Sequence, residues 1–91
     1  MAKKTLNHLT AEERALLKGQ FLAAPMDDLF EQEAVALYLG CSTSLLQHWR
    51  SHGGGPAFSK IGRTVNYCKR DVVEYRQSRI VHHTAAYARA S

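Results

Sequence analysis

The 91-residue sequence contains two cysteines, two prolines and one tryptophan, and it has no long apolar run. The longest uninterrupted apolar stretch is 34–39, far short of the roughly 20 residues that a membrane-spanning helix needs. The basic N-terminus continues into polar residues where a secretion signal would place an apolar block. These absences predict a cytoplasmic protein without a membrane segment.

The scarcity of cysteine also limits covalent and metal chemistry. Cys41 and Cys68 are far apart in the chain, and we expect two reduced thiols rather than a disulfide. His48 and His52 have the i, i+4 spacing of one helical face, but with Cys41 they complete no four-ligand zinc pattern. The sequence therefore predicts no metal site and no cofactor. We interpret the histidine pair at 82–83 as part of a solvated tail.

Acidic residues are scarce in the second half of the chain. Residues 46–91 contain eight Lys and Arg against two acids, a net charge of +6, whereas residues 1–45 carry a net charge of −2. A basic half with few acids is typical of a protein that binds a polyanion. A solvated basic surface without a ligand is the alternative, and charge alone does not separate the two.

Helix signals divide the first half of the chain. The stretch Thr10–Glu13 has the form of a capping box, which predicts a helix that ends before Pro25. Asp28 is the predicted N-cap of a second helix over 29–39. Gly40 follows it in the position of a left-handed C-cap.

Ser42 is the predicted N-cap of a third helix over 43–51, so that a three-residue turn joins two short helices as in a helix-turn-helix. Leu46 and Trp49, three residues apart, are the expected core residues of this helix. Its outward residues have the hydrogen-bonding groups of a helix that reads the major groove. The predicted DNA contacts of this helix are Ser42, Thr43, Ser44, Gln47, His48 and Arg50.

The glycine-rich stretch 53–56 ends the third helix and allows the chain to reverse. A phosphate-binding loop is disfavoured there, because no buried strand precedes it and no Gly-Lys-Ser/Thr follows. Two short alternating strands, 58–61 and 65–67, then flank a tight turn. This hairpin places Lys60, Arg63 and Thr64 near or on a protruding tip, as in a DNA-contacting wing.

A last helix is predicted from about Cys68, with Asp71 near its N-terminus and Val72 and Tyr75 facing inward. The predicted fold is mainly α with a small β-hairpin: a winged helix-turn-helix with an extra N-terminal helix. The predicted organisation is an N-terminal helix and linker over 1–28, the winged domain over 29–80 and a tail over 81–91.

The segment Leu29–Arg79 resembles the winged helix-turn-helix of the excisionase and MerR-like DNA-binding group. The group has a helix with Glu-Ala-Ala, a Leu-Gly-x-Ser turn and a recognition helix ending in Trp-Arg. A Gly-Pro linker, a Lys-x-Gly-Arg hairpin, an aromatic strand end and an Asp-Val/Leu final helix follow. The matching residues occur in the same order: Glu33-Ala34, Leu39-Gly40-Cys41-Ser42, Trp49-Arg50, Gly55-Pro56, Lys60-Ile61-Gly62-Arg63, Tyr67 and Asp71-Val72.

A chain of this size within the group is similar to excisionases, also called recombination directionality factors, and to AlpA-type transcriptional regulators. The resemblance implies a protein of a bacterial or phage-associated nucleoid that binds attachment-site DNA, bends it, and helps a tyrosine integrase to excise. It implies no small-molecule ligand. The sequence departs from the group at Thr43, where Arg is common, and at Gln47 and His48, which replace an aromatic residue and Arg. These departures shift the expected phosphate contacts toward the wing.

Two other classes of protein remain as alternatives. The basic wing and the glycine linker could contact an acidic protein instead of DNA. Cys41 and His48 could be posed as a nucleophile and a base, but the sequence has no paired carboxylates or Ser-His-Asp arrangement that would favour an enzyme. We therefore expect a non-enzymatic protein.

The sequence also predicts cooperative binding by several copies placed side by side on DNA. No heptad pattern follows Arg79 to form a symmetric coiled-coil dimer. The acidic first half of one copy would contact the basic second half of the next. Such a heterologous contact extends along the DNA and does not form a closed dimer.

Overall fold

The computed structural model describes residues 6–80, and the predicted tail over 81–91 lies outside these residues. The described chain is mainly helical, with four α-helices, one short 3₁₀ helix (Leu6–His8) and a three-stranded antiparallel sheet. None of its helices is long and apolar enough to cross a membrane. The main elements are α1 (Ala11–Ala23), β1 (Leu29–Phe30), α2 (Gln32–Leu39), α3 (Thr43–His52), β2 (Ser59–Ile61), β3 (Thr64–Cys68) and α4 (Lys69–Ser78).

The start of α1 confirms the predicted capping box. The Thr10 hydroxyl accepts from the Glu13 amide at 3.1 Å, and the Glu13 carboxylate accepts from the Thr10 amide at 3.0 Å. The helix ends at Ala23, just before Pro25. Phe21 is fully buried against the rings of Phe30 and Tyr38, with centroids 4.8 and 4.6 Å away. The N-terminal helix is therefore packed onto the rest of the domain.

Strand β1 corrects the prediction for the start of the second helix. Leu29 and Phe30 are paired with Cys68 and Tyr67 of β3, and α2 begins only at Gln32. Asp28 is not its N-cap; Glu31 occupies that position and makes no side-chain capping bond. The cause is tertiary, because β3 supplies backbone partners that Leu29 and Phe30 would otherwise find only within a helix.

The connection between α2 and α3 agrees with the prediction. Gly40 has a φ of 75°, the left-handed conformation that glycine adopts without a Cβ penalty. The Ser42 hydroxyl accepts from the Leu45 amide at 3.0 Å and caps α3. The two helices pack on the sheet and α4 around one core of buried residues: Leu6, Phe21, Ala34, Val35, Ala36, Leu46, Tyr67 and Val72.

The glycines after α3 serve as a packing surface for Trp49. The indole is half-buried against the core and contacts the Tyr75 ring edge-on at 5.7 Å. A Cβ atom built on Gly55 would lie 2.5 Å from the Trp49 ring. Gly55 therefore provides space for the indole, in addition to the chain reversal that the sequence predicts.

The hairpin of β2 and β3 is confirmed, with Gly62 and Arg63 at its tip. Gly62 has a φ of 63°, and no non-glycine residue of the described chain has a positive φ. A left-handed glycine at the first central position is what a type II′ turn requires. Thr64 begins β3 and pairs with Ile61, so it lies at the strand end beside the tip.

The first residue of α4, Lys69, has an inward position that the sequence does not reveal. Only 8% of its surface is exposed. Its ammonium group donates to the carbonyl oxygens of Leu22 and Ala24, both at 2.8 Å, and lies over the Phe21 ring. The last carbonyls of a helix lack intrahelical partners, so Lys69 completes the C-terminus of α1.

The packing of Trp49 predicts that Gly55→Ala is more destabilising than Gly53→Ala. Both positions have a positive φ, but only the Cβ at position 55 would overlap the indole. We expect a loss of about 1–2 kcal/mol at position 53 from backbone strain and roughly 2–4 kcal/mol at position 55, where overpacking is added. Urea unfolding followed by circular dichroism measures both, and equal losses would refute a packing role for Gly55.

The buried ammonium group predicts that Lys69→Met lowers the free energy of unfolding by roughly 1.5–3 kcal/mol, because charge-assisted hydrogen bonds to α1 are lost. Lys18→Met is the matched control, because Lys18 is exposed on α1, and it should change stability by less than about 0.5 kcal/mol. Thermal and urea unfolding provide the measurement. Equal stability of the two variants would show that Lys69 does not hold α1.

Candidate nucleic-acid interface

The exposed face of α3 contains three of the predicted contact residues. Ser44, Gln47 and His48 are exposed, and Thr43 is half-buried in the first turn. Ser42 precedes the helix with its hydroxyl engaged in the cap. These side chains form one continuous surface because residues three and four apart are neighbours on a helix.

The guanidinium group of Arg50 has intramolecular partners that the sequence does not reveal. Its Nη1 atom donates to the Tyr67 hydroxyl at 2.6 Å, and its Nη2 atom donates to the Gln32 side-chain oxygen at 3.3 Å. The same oxygen accepts from the Gln47 amide at 3.4 Å. Gln32 of α2 therefore holds two adjacent side chains of α3, and Arg50 links α3 to the sheet.

A cleft of about 370 Å³ separates α3 from the hairpin. It brings four predicted residues together: Gln47 and Arg50 line it from the helix, and Lys60 and Arg63 line it from the hairpin. Ser51, Phe58 and Val65 complete its walls. The predicted residues Ser42, Thr43, Ser44 and His48 do not line this cleft.

A second concavity of about 290 Å³ lies on the other side of Arg63. Thr64, the remaining predicted residue, lines it together with Glu31, Gln32 and Glu33. Arg50 and Arg63 also line this concavity, so it contains two acidic and two basic side chains, whereas the lining of the cleft beside α3 has basic side chains and no acidic one. Arg63 lines both concavities.

The cations of the second half differ in their surroundings. Within residues 6–80, Lys60 and Arg63 form no hydrogen bond, ion pair or ring contact. The other Lys and Arg residues between Arg50 and Arg79 each have an intramolecular contact. Arg50 and Lys69 are hydrogen-bonded, Arg76 lies over Tyr38, Arg79 lies over Tyr75, and Arg70 pairs with Asp27 at 2.6 Å.

The Arg70–Asp27 hydrogen bond and the attraction of the carboxylate raise the pKa of the Arg70 guanidinium above its ordinary value. This pair joins a basic residue of the second half to an acidic residue of the first within one molecule. Part of the charge asymmetry seen in the sequence is therefore compensated inside the monomer.

The residues considered for metal binding or catalysis have other surroundings. The rings of His48 and His52 are stacked with centroids 4.2 Å apart, and the Cys41 and Cys68 thiols are free. Burial raises the pKa of the Cys41 thiol, which opposes formation of a nucleophilic thiolate. In the described part of the chain, no three His, Cys, Asp or Glu side chains form a group that could hold a metal ion.

Sequence reasoning did not identify Gln32, Ser51 or Phe58 as parts of this surface. Gln32 is 15 residues from Gln47 and 18 from Arg50, so no local spacing points to it. Tyr67 was recognised as an aromatic strand end, but its hydroxyl contact with Arg50 was not predicted. The outward position of Ser51 follows from helical periodicity and could have been found.

No model of a known protein family matches the chain, and no curated protein matches it at a significant level.

The Arg50 contact predicts that Tyr67→Phe lowers the free energy of unfolding by about 1–2 kcal/mol, because a partly buried guanidinium loses its acceptor. Tyr75→Phe is the control, because the Tyr75 hydroxyl forms no hydrogen bond within residues 6–80. It should remain within about 0.5 kcal/mol of the wild type. Chemical denaturation measures the free energy of unfolding of both variants. An unchanged free energy of unfolding for Tyr67→Phe would show that the Tyr67 hydroxyl does not stabilise the fold.

Proposed function

We propose that the chain is a duplex DNA-binding protein with a winged helix-turn-helix, in which α2 and α3 form the helix-turn-helix and the β2–β3 hairpin is the wing. In this proposal α3 enters the major groove and the wing contacts the adjacent backbone or minor groove. The N-terminal helix α1 is an addition that packs on the side of the domain formed by α2 and α4.

The observation that carries the proposal is the state of the two hairpin cations. Lys60 and Arg63 lie exposed on the hairpin and line the same cleft as Gln47, which belongs to the exposed face of α3. The other basic side chains between Arg50 and Arg79 have intramolecular contacts. Cations without an internal partner beside a polar helix are suited to binding phosphates next to a groove.

The exposed residues of α3 supply the groups for base recognition. The side-chain amide of Gln47 can donate one hydrogen bond to adenine and accept another from it. To do so, it gives up its long 3.4 Å hydrogen bond to Gln32. Ser44 and His48 lie beside it on the same face. In this proposal a phosphate binds at the N-terminus of α3, beside Ser42 and Thr43. Arg50 orients the helix through Tyr67.

At the biological level, we propose an architectural role as an excisionase that binds attachment-site DNA, bends it and promotes excision by a tyrosine integrase. Several copies bind side by side in this role. The support is the ordered set of motifs over Leu29–Arg79 together with the two hairpin cations. The alternative within the same fold is an AlpA-type transcriptional regulator of a mobile element. The raised pKa of the Cys41 thiol disfavours the alternative in which Cys41 and His48 act as a nucleophile and a base.

The proposal predicts that Arg63→Ala and Lys60→Ala weaken binding to all duplexes by similar factors. Each variant should also reduce the slope of log affinity against log salt by about 0.9, because one phosphate contact is lost. Fluorescence anisotropy with a labelled duplex at several salt concentrations gives both quantities. Lys18→Ala is the control, because Lys18 is an exposed cation on α1, away from the cleft.

Three results would contradict the proposal or parts of it. Absence of salt-dependent duplex binding by the wild type would favour a protein-interaction module. A slope that Arg63→Ala and Lys60→Ala leave unchanged would remove the hairpin from the DNA surface. Binding only at the promoter of the protein's own gene, without attachment-site binding in a footprint, would favour the transcriptional regulator.

A further inference from the structure

The hairpin tip carries an exposed apolar side chain. Ile61, the last residue of β2, is 74% exposed, the largest fraction among the large hydrophobic residues of the described chain. It pairs with Thr64 across the Gly62-Arg63 turn. Its side chain is stiff because it is branched at Cβ, so its position relative to the tip is well defined. Within residues 6–80, Ile61 belongs neither to the core nor to the apolar side chains packed against it.

The strand register places Ile61 and the cleft on opposite faces of the hairpin. Directly paired residues of an antiparallel ladder lie on one face, and successive residues alternate. Lys60 and Val65 form one pair, and both line the cleft beside α3. Ile61 and Thr64 form the next pair and lie on the other face. The tip therefore has a basic side and an apolar side.

We propose that Ile61 is an apolar wedge that enters the minor groove and partly unstacks one base-pair step, so that the wing bends the DNA. This inference rests on the proposed function and assigns the bending to one side chain. Inserted Ile, Leu, Met or Phe side chains kink DNA by roughly 20–90°. Lys60 and Arg63 flank Ile61 in sequence, and their attraction to the groove phosphates offsets the unstacking.

The charges beside Ile61 favour DNA over a second copy of the chain as its binding partner. The two flanking cations have no partner within residues 6–80. An apolar knob that docks on another protein gains little from such neighbours unless the partner is acidic. A duplex presents phosphates on both sides of the minor groove, which suits a tip that carries Ile61 on one face, Lys60 on the other face and Arg63 in the turn between them.

The test measures the bend in the bound complex and does not depend on affinity. The probe is a short duplex with one site, selected from a randomised pool by the wild-type protein, with donor and acceptor dyes at its ends. A 2-aminopurine base within the site reports local unstacking. The variants are Ile61→Ser, Ile61→Leu and, as a matched exposed aliphatic residue on α1, Leu16→Ser, where Leu16 is 64% exposed.

At saturating protein, the wild type, Ile61→Leu and Leu16→Ser should raise both the energy transfer and the 2-aminopurine fluorescence. Ile61→Ser should bind with both signals close to those of the free duplex. The exposed position leaves folding intact, which circular dichroism of each variant checks.

If the Ile61→Ser protein bends the duplex as much as the wild type does, the inference is overturned and the proposed function is unaffected. If Ile61→Ser bends the single-site duplex normally but loses cooperative filling of a two-site duplex, Ile61 contacts a second copy, and the wedge is also excluded. If the wild-type protein selects no duplex, the proposed function and this inference fail together.

Discussion

One buried ammonium group joins the C-terminus of the N-terminal helix to the start of α4, in addition to the packing of Phe21 against Phe30 and Tyr38. Lys69 donates to the Leu22 and Ala24 carbonyls, which close the C-terminus of α1. Two backbone bonds continue the same junction, from the Lys69 amide to the Asp28 carbonyl and from the Arg70 amide to the Met26 carbonyl. The first turn of α4 thereby holds the whole connection that leads from α1 into β1. Pairing of β1 with β3, and with it the starting point of α2, depends on this junction.

Features governed by neighbouring residues could be predicted from the sequence. The cap at Thr10, the left-handed Gly40, the cap at Ser42 and the Gly62 turn each need only a few adjacent residues, and each is present. The errors share one cause, which is contact between distant segments. Local spacing favoured a helix at Leu29, but pairing with Cys68 makes it a strand. Contact between distant segments also gives Arg50 a partner that periodicity does not reveal, the Tyr67 hydroxyl.

The charges of the candidate site could not be predicted from the sequence for the same reason, because contacts between distant segments decide which basic side chains are available. Counting charges along the sequence gives eight basic residues after position 45, but the count does not tell which of them face a ligand. Lys69 is used inside the fold, and Arg70 is paired with Asp27. The structure leaves Lys60 and Arg63 as the cations beside the exposed face of α3. A smaller number of available charges, in a defined place, supports a defined docking orientation better than a diffuse basic surface does.

Strand β3 passes into α4 without an intervening loop, since β3 ends at Cys68 and α4 begins at Lys69. The base of the hairpin is therefore joined directly to Lys69, the residue that holds the C-terminus of α1. Displacement of the strand end at Cys68 would move α4 and draw the Lys69 ammonium group from its two carbonyl acceptors. The base of the hairpin is consequently fixed before a ligand arrives, and little conformational entropy of this segment is lost on binding. When a ligand binds at the base of the hairpin, any change of shape therefore falls on the ligand.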